Sequence, residues 1–358
     1  DFTKKLTNAV IDVKNFTIGG NDVVVYPHQS IQQAIDEISK KGGGRVILTA
    51  KTYRPTANIS VASNVSLEGA GVGNTIIDFN SGAFRISVTG TSRSMAGTAT
   101  LTEGSTTVTG VLTTFLNAQV GDIFNVSSTN VGFFSEILSI ESDTSLTLVD
   151  AWPMPTISPT SSSFQVYLAN KNCVIRDLTV QEGSAAAGVL FAQYVHNFLC
   201  ENVNFYKNTP TNQRTIEVDT MNDSFFRNVD SSYNTGFGYY LNKTNKVVFY
   251  GCSARGNSSD GFYVEITTDE LAFNDCVSKG NGGDGFDISG AKTQLLNCHS
   301  YGNDLDGFKI VSDGSKVLLL GCEGADNGSD GVQVGANDCI FQNCDFRAND
   351  AYGINILA

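Results

Sequence analysis

Four acidic residues in the middle of the chain have the types and spacing needed for acid–base catalysis. They are Glu217, Asp219, Glu265 and Asp287. Each lies where apolar and polar residues alternate, so its side chain is expected to point away from the core. Hydrolysis of a glycosidic bond uses two carboxyl groups, one protonated, at ~5 to 5.5 Å for retention or ~6.5 to 9.5 Å for inversion. The four are candidate catalysts of such a reaction, and the alternative is that they are solvated strand residues of an acidic protein.

Four neighbouring residues are candidate ligands of a polysaccharide substrate. They are Tyr240, Tyr263, Asn242 and Lys309. Tyrosine rings stack on sugar faces, and polar side chains bind sugar hydroxyls. A second interpretation is a lyase or a uronate C5-epimerase, which needs a cation beside the uronate carboxylate and a base that takes the C5 proton. Asp287, Lys309 and Tyr263 could supply these groups.

The elements that would position these residues form an internal repeat. An Asn, Asp or Gly recurs every 22 to 26 residues, and these types tolerate left-handed backbone. The recurring residues are Asp177, Asn202, Asn228, Gly251, Asp275, Asn297, Gly321 and Asn343. An apolar residue follows each of them, and the last five are Cys252, Cys276, Cys298, Cys322 and Cys344. This pattern predicts one interior file of small apolar side chains.

A second recurring position supports the same architecture. Asparagines follow most repeat positions at a fixed interval, as Asn208, Asn234, Asn257, Asn281, Asn303, Asn327 and Asn349. Stacked asparagines can hydrogen-bond one another and hold a corner of a coil. Short strands with alternating apolar residues come next, such as "GFDIS", in which Gly285 should allow a bend, Phe286 should be buried and Asp287 should face water. The prediction is an all-β fold, a right-handed single-stranded parallel β-helix.

Stacking of the strands predicts two outward columns of side chains. The first contains Leu190, Glu217, Tyr240, Tyr263, Asp287, Lys309, Gln333 and Asn355, and the second contains Ala192, Asp219, Asn242, Glu265 and Ser289. At ~4.8 Å per rung, Asp219 and Glu265 would lie ~9.6 Å apart, while Glu217 and Asp219 would lie ~7 Å apart along one strand. Either pair suits inversion.

The N-terminal part resembles a known family. In "SIQQAIDEISKKGGGRVILTAKTYRPTANISVASNVSLEGAGVGNTIIDF", Ile31, Ala34, Ile35 and Ile38 follow the N-cap candidate Ser30 and predict a capping helix. The Ile-Gln-x-Ala-Ile-Asp, Gly-Gly-Gly-x-Val and Leu-x-Gly-x-Gly patterns are similar to those of pectate-lyase-like β-helix proteins. Because the repeat breaks between about Thr91 and Tyr167, we predict three parts: cap and first coils over 1–90, an inserted β-barrel or sandwich over 91–167, and the main β-helix over 168–358.

The predicted insertion lacks the asparagine and cysteine positions. Its "GSTTVTG", "VGD" and "DTSLTL" elements are similar to small β-domains of bacteriophage tail and tailspike proteins. The resemblance implies a tailspike-like polysaccharide depolymerase, extracellular or on the virion surface, and a homo-oligomer such as a trimer. Glycoside hydrolysis is favoured over lyase or epimerase chemistry. The alternative is a non-catalytic adhesin or filament subunit that assembles end to end, since the sequence stops within a coil at "DAYGINILA".

The strand "GFDISG" also resembles the Tyr-Gly-Phe-Asp-Pro-His motif of alginate epimerases and lyases. Asp287 matches the Asp of this motif, but Asp284 replaces its Tyr and Ser289 replaces its His. Two of the three working residues of the family are therefore missing. The epimerase mechanism is not carried over.

Composition excludes several functions. A net charge of -13 disfavours binding to nucleic acid, and no apolar run approaches the ~18 residues that predict a membrane span. The sequence contains no CxxC pair that would indicate a metal site, so no cofactor is expected. Calcium at the recurring Asp260, Asp284, Asp306 and Asp330 is an alternative to turn capping by these aspartates.

Overall fold

The structure, a computed structural model, describes residues 20–128, 131–157, 164–311 and 316–357. Its main body is a right-handed parallel β-helix, which confirms the predicted fold class. Within the described residues, twenty-five strands form the coils. They are Asn21–Val25, Gly44–Leu48, Thr52–Tyr53, Ile59–Ser60, Val65–Glu68, Ile76–Asp78, Ile86–Thr89, Asn170–Gln181, Leu190–Tyr206, Arg214–Ser232, Phe237–Tyr250, Ser253–Arg255, Phe262–Val264, Ala272–Asn274, Val277–Lys279, Phe286–Ile288, Gln294–Leu296, His299–Tyr301, Phe308–Ile310, Leu318–Leu320, Glu323–Ala325, Val332–Val334, Ile340–Gln342, Asp345–Arg347 and Ile354–Ile356.

One α-helix, Ile31–Lys40, packs against the first coils. The Ser30 side chain accepts a hydrogen bond from the Gln33 backbone N–H, as expected of an N-cap. The helix buries the predicted residues Ile31, Ala34, Ile35 and Ile38. A helix at this position covers strand edges that would otherwise be exposed.

A smaller sheet of seven strands interrupts the coils. Its strands are Thr91–Arg93, Thr98–Leu101, Thr107–Val111, Ile123–Ser128, Val131–Ser142, Ser145–Leu148 and Gln165–Leu168. Its antiparallel pairings contrast with the parallel coils. The Lys171 ammonium donates to the Gly121 carbonyl at 2.7 Å, and Tyr167 packs against Tyr194 with ring centroids 4.9 Å apart. The boundaries at 90/91 and 167/168 stay a prediction.

The predicted interior file of cysteines is present. Cys252, Cys276, Cys298 and Cys322 are buried, and Cys344 packs against the same core. The preceding Asn, Asp or Gly of each repeat has φ between 51° and 66°, the left-handed region that these residue types tolerate. The cysteine thiols are free, so the file acts as small apolar packing.

The asparagine ladder fixes one corner of the coils. The Asn281 side-chain oxygen accepts from both the backbone N–H and the side-chain amide of Asn257, each at 3.0 Å. Asn281 in turn donates to the oxygen of Asn303 at 3.1 and 2.9 Å. Each buried amide therefore finds its partners on the adjoining rungs.

Gly285 has a different role from the predicted one. It has no left-handed φ, but a Cβ at this position would lie 1.9 Å from Ser300 Oγ and 2.5 Å from the Gly307 carbonyl oxygen. Glycine is therefore required for close packing inside the corner rather than for a bend. Phe286 is buried, as predicted, and its ring stacks on Phe262 at 4.7 Å.

Candidate functional site

One outer face of the β-helix brings the candidate residues together. We call it the A face, the stack of strand segments that includes Phe237–Tyr250, Phe262–Val264, Phe286–Ile288, Phe308–Ile310 and Val332–Val334. Its register defines a first column of Ser87, Phe191, Glu217, Tyr240, Tyr263, Asp287, Lys309, Gln333 and Asn355. The predicted order from Glu217 to Asn355 is confirmed.

The prediction was wrong on the rung that precedes Glu217 and Asp219, where each column was assigned the wrong residue. Leu190 and Ala192 are fully buried, while Phe191 pairs with Glu217 and Gln193 pairs with Asp219. A shift of one residue exchanges the inner and outer faces of a strand. The long apolar run around Leu190 gives no alternation from which the correct register could be read.

The second column contains Gln193, Asp219 and Asn242, with Glu265 on the following rung. The Asp219 carboxylate accepts from the Gln193 amide at 2.7 Å and from the Asn242 amide at 3.2 Å. The Asn242 oxygen accepts from Thr267 Oγ1 at 2.7 Å. Asp219 is half-buried and held by amides, an arrangement suited to binding sugar hydroxyls.

Glu217 is buried and fully engaged within the protein. Its Oε1 accepts from the Arg214 guanidinium at 2.7 Å, and its Oε2 accepts from the Gly188 backbone N–H at 2.7 Å and the Asn212 amide at 2.9 Å. Two of these groups belong to the loops between strands that border the column. These contacts give Glu217 a positioning role, because no carboxylate oxygen is left without a protein partner.

Two tyrosines form the centre of the first column. Tyr240 and Tyr263 stack with ring centroids 5.3 Å apart and an interplanar angle of 16°. The Arg214 guanidinium carbon lies 3.5 Å from the centroid of the Tyr240 ring, within the range of a cation–π contact. Tyr240 is nearly covered, whereas Tyr263 is half-buried. Tyr263 is therefore the better platform for a sugar ring.

The Tyr240 hydroxyl donates to Glu265 Oε1 at 2.5 Å. Burial raises the pKa of Tyr240, and the hydrogen bond to Glu265 adds to the increase. Burial likewise raises the pKa of Tyr263, with the carboxylates of Glu265 and Asp287 contributing. Both hydroxyls therefore stay protonated at neutral pH.

Asp287 is buried, which corrects the expectation that it faces water. Its Oδ2 accepts from the Lys309 ammonium at 2.7 Å, and its Oδ1 is buried without a hydrogen-bond partner. Burial raises the pKa of the Asp287 carboxyl, partly opposed by Lys309, and the charges of Asp306 and Glu265 raise it further. Asp287 is thus a buried carboxyl group with a raised pKa, one oxygen bound to Lys309 and the other without a protein partner.

Lys309 forms ion pairs with two aspartates, Asp284 in a loop and Asp287 in the strand that follows it. Its ammonium lies 2.7 Å from Asp287 Oδ2 and 3.1 Å from Asp284 Oδ2. Burial alone would lower the pKa of Lys309, but the hydrogen bond to Asp287 and the charges of both aspartates raise it above its usual value. Lys309 is therefore a fixed cation rather than a base at neutral pH.

Asp260 completes a buried acidic cluster that the site prediction missed. One oxygen each of Asp260, Asp284 and Asp287 lies within 4.8 Å of the other two. Burial raises the pKa of Asp260 to about 7, and the Asp284 N–H partly opposes this effect. A divalent cation could bind these oxygens, but Lys309 already supplies positive charge beside Asp284 and Asp287.

The recurring aspartates also cap the turns between rungs. Oδ1 of Asp260, Asp284 and Asp306 accepts the backbone N–H of the next aspartate in the series, at 2.7 to 2.9 Å. These bonds join each turn to the corresponding turn of the next rung and give one oxygen of each aspartate a partner. The sequence signal for the cluster of Asp260, Asp284 and Asp287 is the occurrence of Asp284 and Asp287 on one rung. The burial that raises their pKa values depends on how the coils pack and cannot be read from the sequence.

His299 lies on another face of the β-helix and is not isolated. The Tyr301 hydroxyl lies 2.8 Å from His299 Nδ1 and donates to Glu323 Oε2 at 2.5 Å. This surface network pairs its polar groups with one another, and it is separate from the A face. We assign it no part in the candidate site.

The residues of the A face together suit acid–base chemistry on a sugar. Tyr263 pairs with Asp287 on the next rung, and the half-buried Glu265 follows Tyr263 by two residues. One rung and two residues separate the backbone positions of these acids, a diagonal of about 8 Å at ~4.8 Å per rung and ~3.3 Å per residue. This backbone spacing is compatible with an inverting pair, whose carboxyl groups are ~6.5 to 9.5 Å apart.

Solved structures similar to this chain are β-helix proteins. The A-module of the Azotobacter vinelandii mannuronan C-5 epimerase AlgE6 is 18% identical with a TM-score of 0.61, over 91% of this chain and 74% of that one. The tailspike gp49 of Pseudomonas phage LKA1 is 15% identical with a TM-score of 0.62, over 88% of this chain and 59% of that one. The Gp54 tailspike of Acinetobacter baumannii bacteriophage AP22, solved with a capsular saccharide, is 11% identical with a TM-score of 0.53, over 93% and 70%. At these identities the similarity establishes the fold.

No curated protein matches the chain by sequence. Within the part of the chain that the structure describes, no helix has the length and apolar character to cross a membrane. The family described as right handed beta helix region matches residues 164–319 and 268–358, which together are more than half of the chain. The chain therefore belongs to the right-handed beta helix family.

Proposed function

We propose that this protein binds a polysaccharide along the A face and hydrolyses its glycosidic bonds. The observation that carries the proposal is the buried Asp287 carboxyl, which has a raised pKa and an unpartnered Oδ1 and lies one rung from Tyr263 on the A face. A carboxyl group whose pKa is raised by burial is suited to act as a general acid. The shared fold with tailspikes and polysaccharide-processing enzymes supports the same class of substrate.

The proposal assigns the general acid and the general base to two carboxyl groups. Asp287 donates its proton to the glycosidic oxygen as the bond from that oxygen to the anomeric carbon breaks. Glu265 accepts a proton from water, whose oxygen attacks the anomeric carbon from the opposite face. After the product leaves, Glu265 releases the proton that it took from water and Asp287 regains a proton from solvent, so both groups return to their starting states. Tyr263 supports a sugar ring, and Asp219 and Asn242 bind its hydroxyls.

Hydrolysis suits these residues better than lyase or epimerase chemistry. Removal of a C5 proton needs a base that is unprotonated at working pH. The pKa values of Lys309, Tyr240 and Tyr263 are all raised, so each keeps its proton. Lys309 instead holds Asp287 and Asp284 in place, and it could contact an anionic substituent of the substrate.

The surroundings of the protein follow from the same proposal. We place it outside cells or on a virion surface, where capsular and other extracellular polysaccharides are met. We further propose a homo-oligomer, either a trimer or an end-to-end assembly, which sedimentation of the purified protein would reveal. The reaction as proposed needs no metal.

A panel of polysaccharides tests the function. Purified protein is incubated with capsular, uronate and neutral polymers, and both reducing ends and the absorbance of unsaturated products are measured. We expect reducing ends to appear without unsaturated products for at least one polymer. Unsaturated products would identify a lyase, and tight binding without any product would favour the non-catalytic adhesin. Parallel reactions with EDTA and with calcium chloride show whether a cation at the Asp260 cluster contributes.

A further inference from the structure

We infer that Arg85, with Phe191, forms a second subsite on the A face that recognises the carboxylate of an acidic sugar. This inference rests on the proposed function and adds to it the class of substrate, an acidic polysaccharide. The subsite lies near the N-terminal end of the first column, whereas Lys309 lies toward its C-terminal end.

The Arg85 guanidinium has no counter-ion among the described residues. Its central carbon lies 4.8 Å from the centroid of the Phe191 ring. Its Nε is buried and has no hydrogen-bond partner. Of the arginines in the described part of the chain, the others each have a carboxylate within 4.0 Å. In a protein with a net charge of -13, an unpaired and partly desolvated arginine indicates a missing anion.

The backbone holds Arg85 in place. Its N–H donates to Asn58 Oδ1 at 3.2 Å, and its carbonyl accepts from the Ile59 N–H at 2.9 Å. Cation–π contact with the half-buried Phe191 then orients the guanidinium. Because the backbone and the flat face of the guanidinium are both fixed, its N–H groups lose little freedom when they bind a ligand.

Glu217, the acid of the first column that lies next to Phe191 in the strand register, does not neutralise Arg85. Phe191 pairs with Glu217 on the next rung, but both oxygens of Glu217 are occupied by Arg214, Gly188 and Asn212. No carboxylate of the described residues is therefore paired with Arg85, and its guanidinium is available to bind a ligand. Its planar fork of N–H donors matches a carboxylate in a two-bond arrangement.

The position of the subsite suits a polymer rather than a small molecule. Phe191 and Tyr263 are three rungs apart in the first column, and Asp287 is one rung further. At ~4.8 Å per rung, the carboxylate site lies about 14 to 19 Å from the proposed reaction centre. An acidic polysaccharide lying along the column would reach both, with neutral sugar faces on the tyrosines.

Binding of charged and neutral forms of the same polymers tests the inference. The probes are sodium alginate, polygalacturonate and hyaluronan, each compared with its carboxyl-reduced neutral form, and dextran sulfate compared with dextran. We expect at least one carboxylated polymer to bind wild-type protein on the order of 10-fold more tightly than its reduced form. Arg85→Gln should remove that difference, and Arg85→Lys should restore part of it. Lys279→Gln, an exposed lysine on another face, controls for the change in net charge.

The outcomes separate this inference from the proposed function. If wild-type protein binds no carboxylated polymer more tightly than its reduced form, or if Arg85→Gln leaves the difference intact, the carboxylate subsite is wrong. A preference for dextran sulfate alone would also overturn it, since it would assign a sulfate instead. With a polymer that is turned over, Arg85→Gln should raise KM more for the carboxylated form than for its reduced form. Failure of the proposed function would appear separately, as turnover unaffected by substitution of Asp287 or Glu265.

Discussion

Replacing Asp287 by asparagine should lower kcat on the polymer that the protein hydrolyses by roughly 10²- to 10⁴-fold, the usual contribution of a general acid. The Asn oxygen can still accept from Lys309, so the fold around the site should be kept. What is lost is the proton that a buried carboxyl with a raised pKa can deliver. Initial rates of reducing-end release, with thermal unfolding as the check on folding, measure the effect.

Glu265→Gln should cause a loss of similar size for a different reason. Its amide oxygen still accepts from the Tyr240 hydroxyl, but the amide cannot take a proton from water. An activated aryl glycoside distinguishes the two roles, because a good leaving group needs no acid. Asp287→Asn should recover much of its rate on that substrate, whereas Glu265→Gln should not.

A matched carboxylate on another face serves as the control for both variants. Glu323 is partly buried and accepts from a tyrosine hydroxyl, as Glu265 does. Glu323→Gln should leave turnover at the wild-type level. The assignment of Asp287 and Glu265 is contradicted if either variant keeps wild-type rates, or if Glu323→Gln loses as much activity as they do.

Replacing Asp260 by asparagine should stabilise the protein at pH 8 and have no such effect at pH 4. The folded-state pKa of Asp260 is raised to about 7, while an exposed aspartate titrates at ~3.9. Below pH 4 both states hold the proton. As the pH rises from 4 to 7, the unfolded chain loses its proton while the folded protein keeps it, so the contribution of Asp260 to stability falls.

The size of this effect follows from the shift. Asparagine removes the cost of a buried charge and keeps the oxygen that accepts the Asp284 N–H at 2.7 Å. At pH 8 the free energy of unfolding should increase by about 1 to 4 kcal/mol relative to wild type. Denaturant unfolding at both pH values measures it, with the exposed Asp36→Asn as control.

Calcium separates two explanations of the acidic cluster. If Asp260→Asn destabilises the protein, and calcium raises the unfolding temperature of wild type but not of the variant, the cluster is a cation site. That result would overturn the assignment of Asp260 as a buried carboxyl group with a raised pKa, because a bound cation favours the charged form of its ligands.

The repeat allowed most of the fold to be predicted from the sequence. Each coil of a solenoid contacts only the coils beside it, so one residue type recurring at one position reports the same contact many times. The interior cysteines, the left-handed positions before them and the asparagine ladder all follow from this recurrence. The register of the first column above Glu217 follows for the same reason.

Prediction failed where the repeat is irregular or where burial decides chemistry. Leu190 lies in a continuous apolar run, so nothing in the sequence separates its two faces. Asp287 alternates with apolar residues as a surface residue would, yet Lys309 and the neighbouring aspartates cover it. The unpaired state of Arg85 depends on which groups the loops bring near, and this cannot be read from spacing.

The structure of Glu265→Gln protein with an oligosaccharide of its own substrate tests the central claim most directly. The account predicts that the saccharide lies along the A face, with a sugar ring on Tyr263 and a glycosidic oxygen within hydrogen-bond distance of Asp287. A saccharide bound on another face of the β-helix, with the tyrosine column left bare, would contradict it.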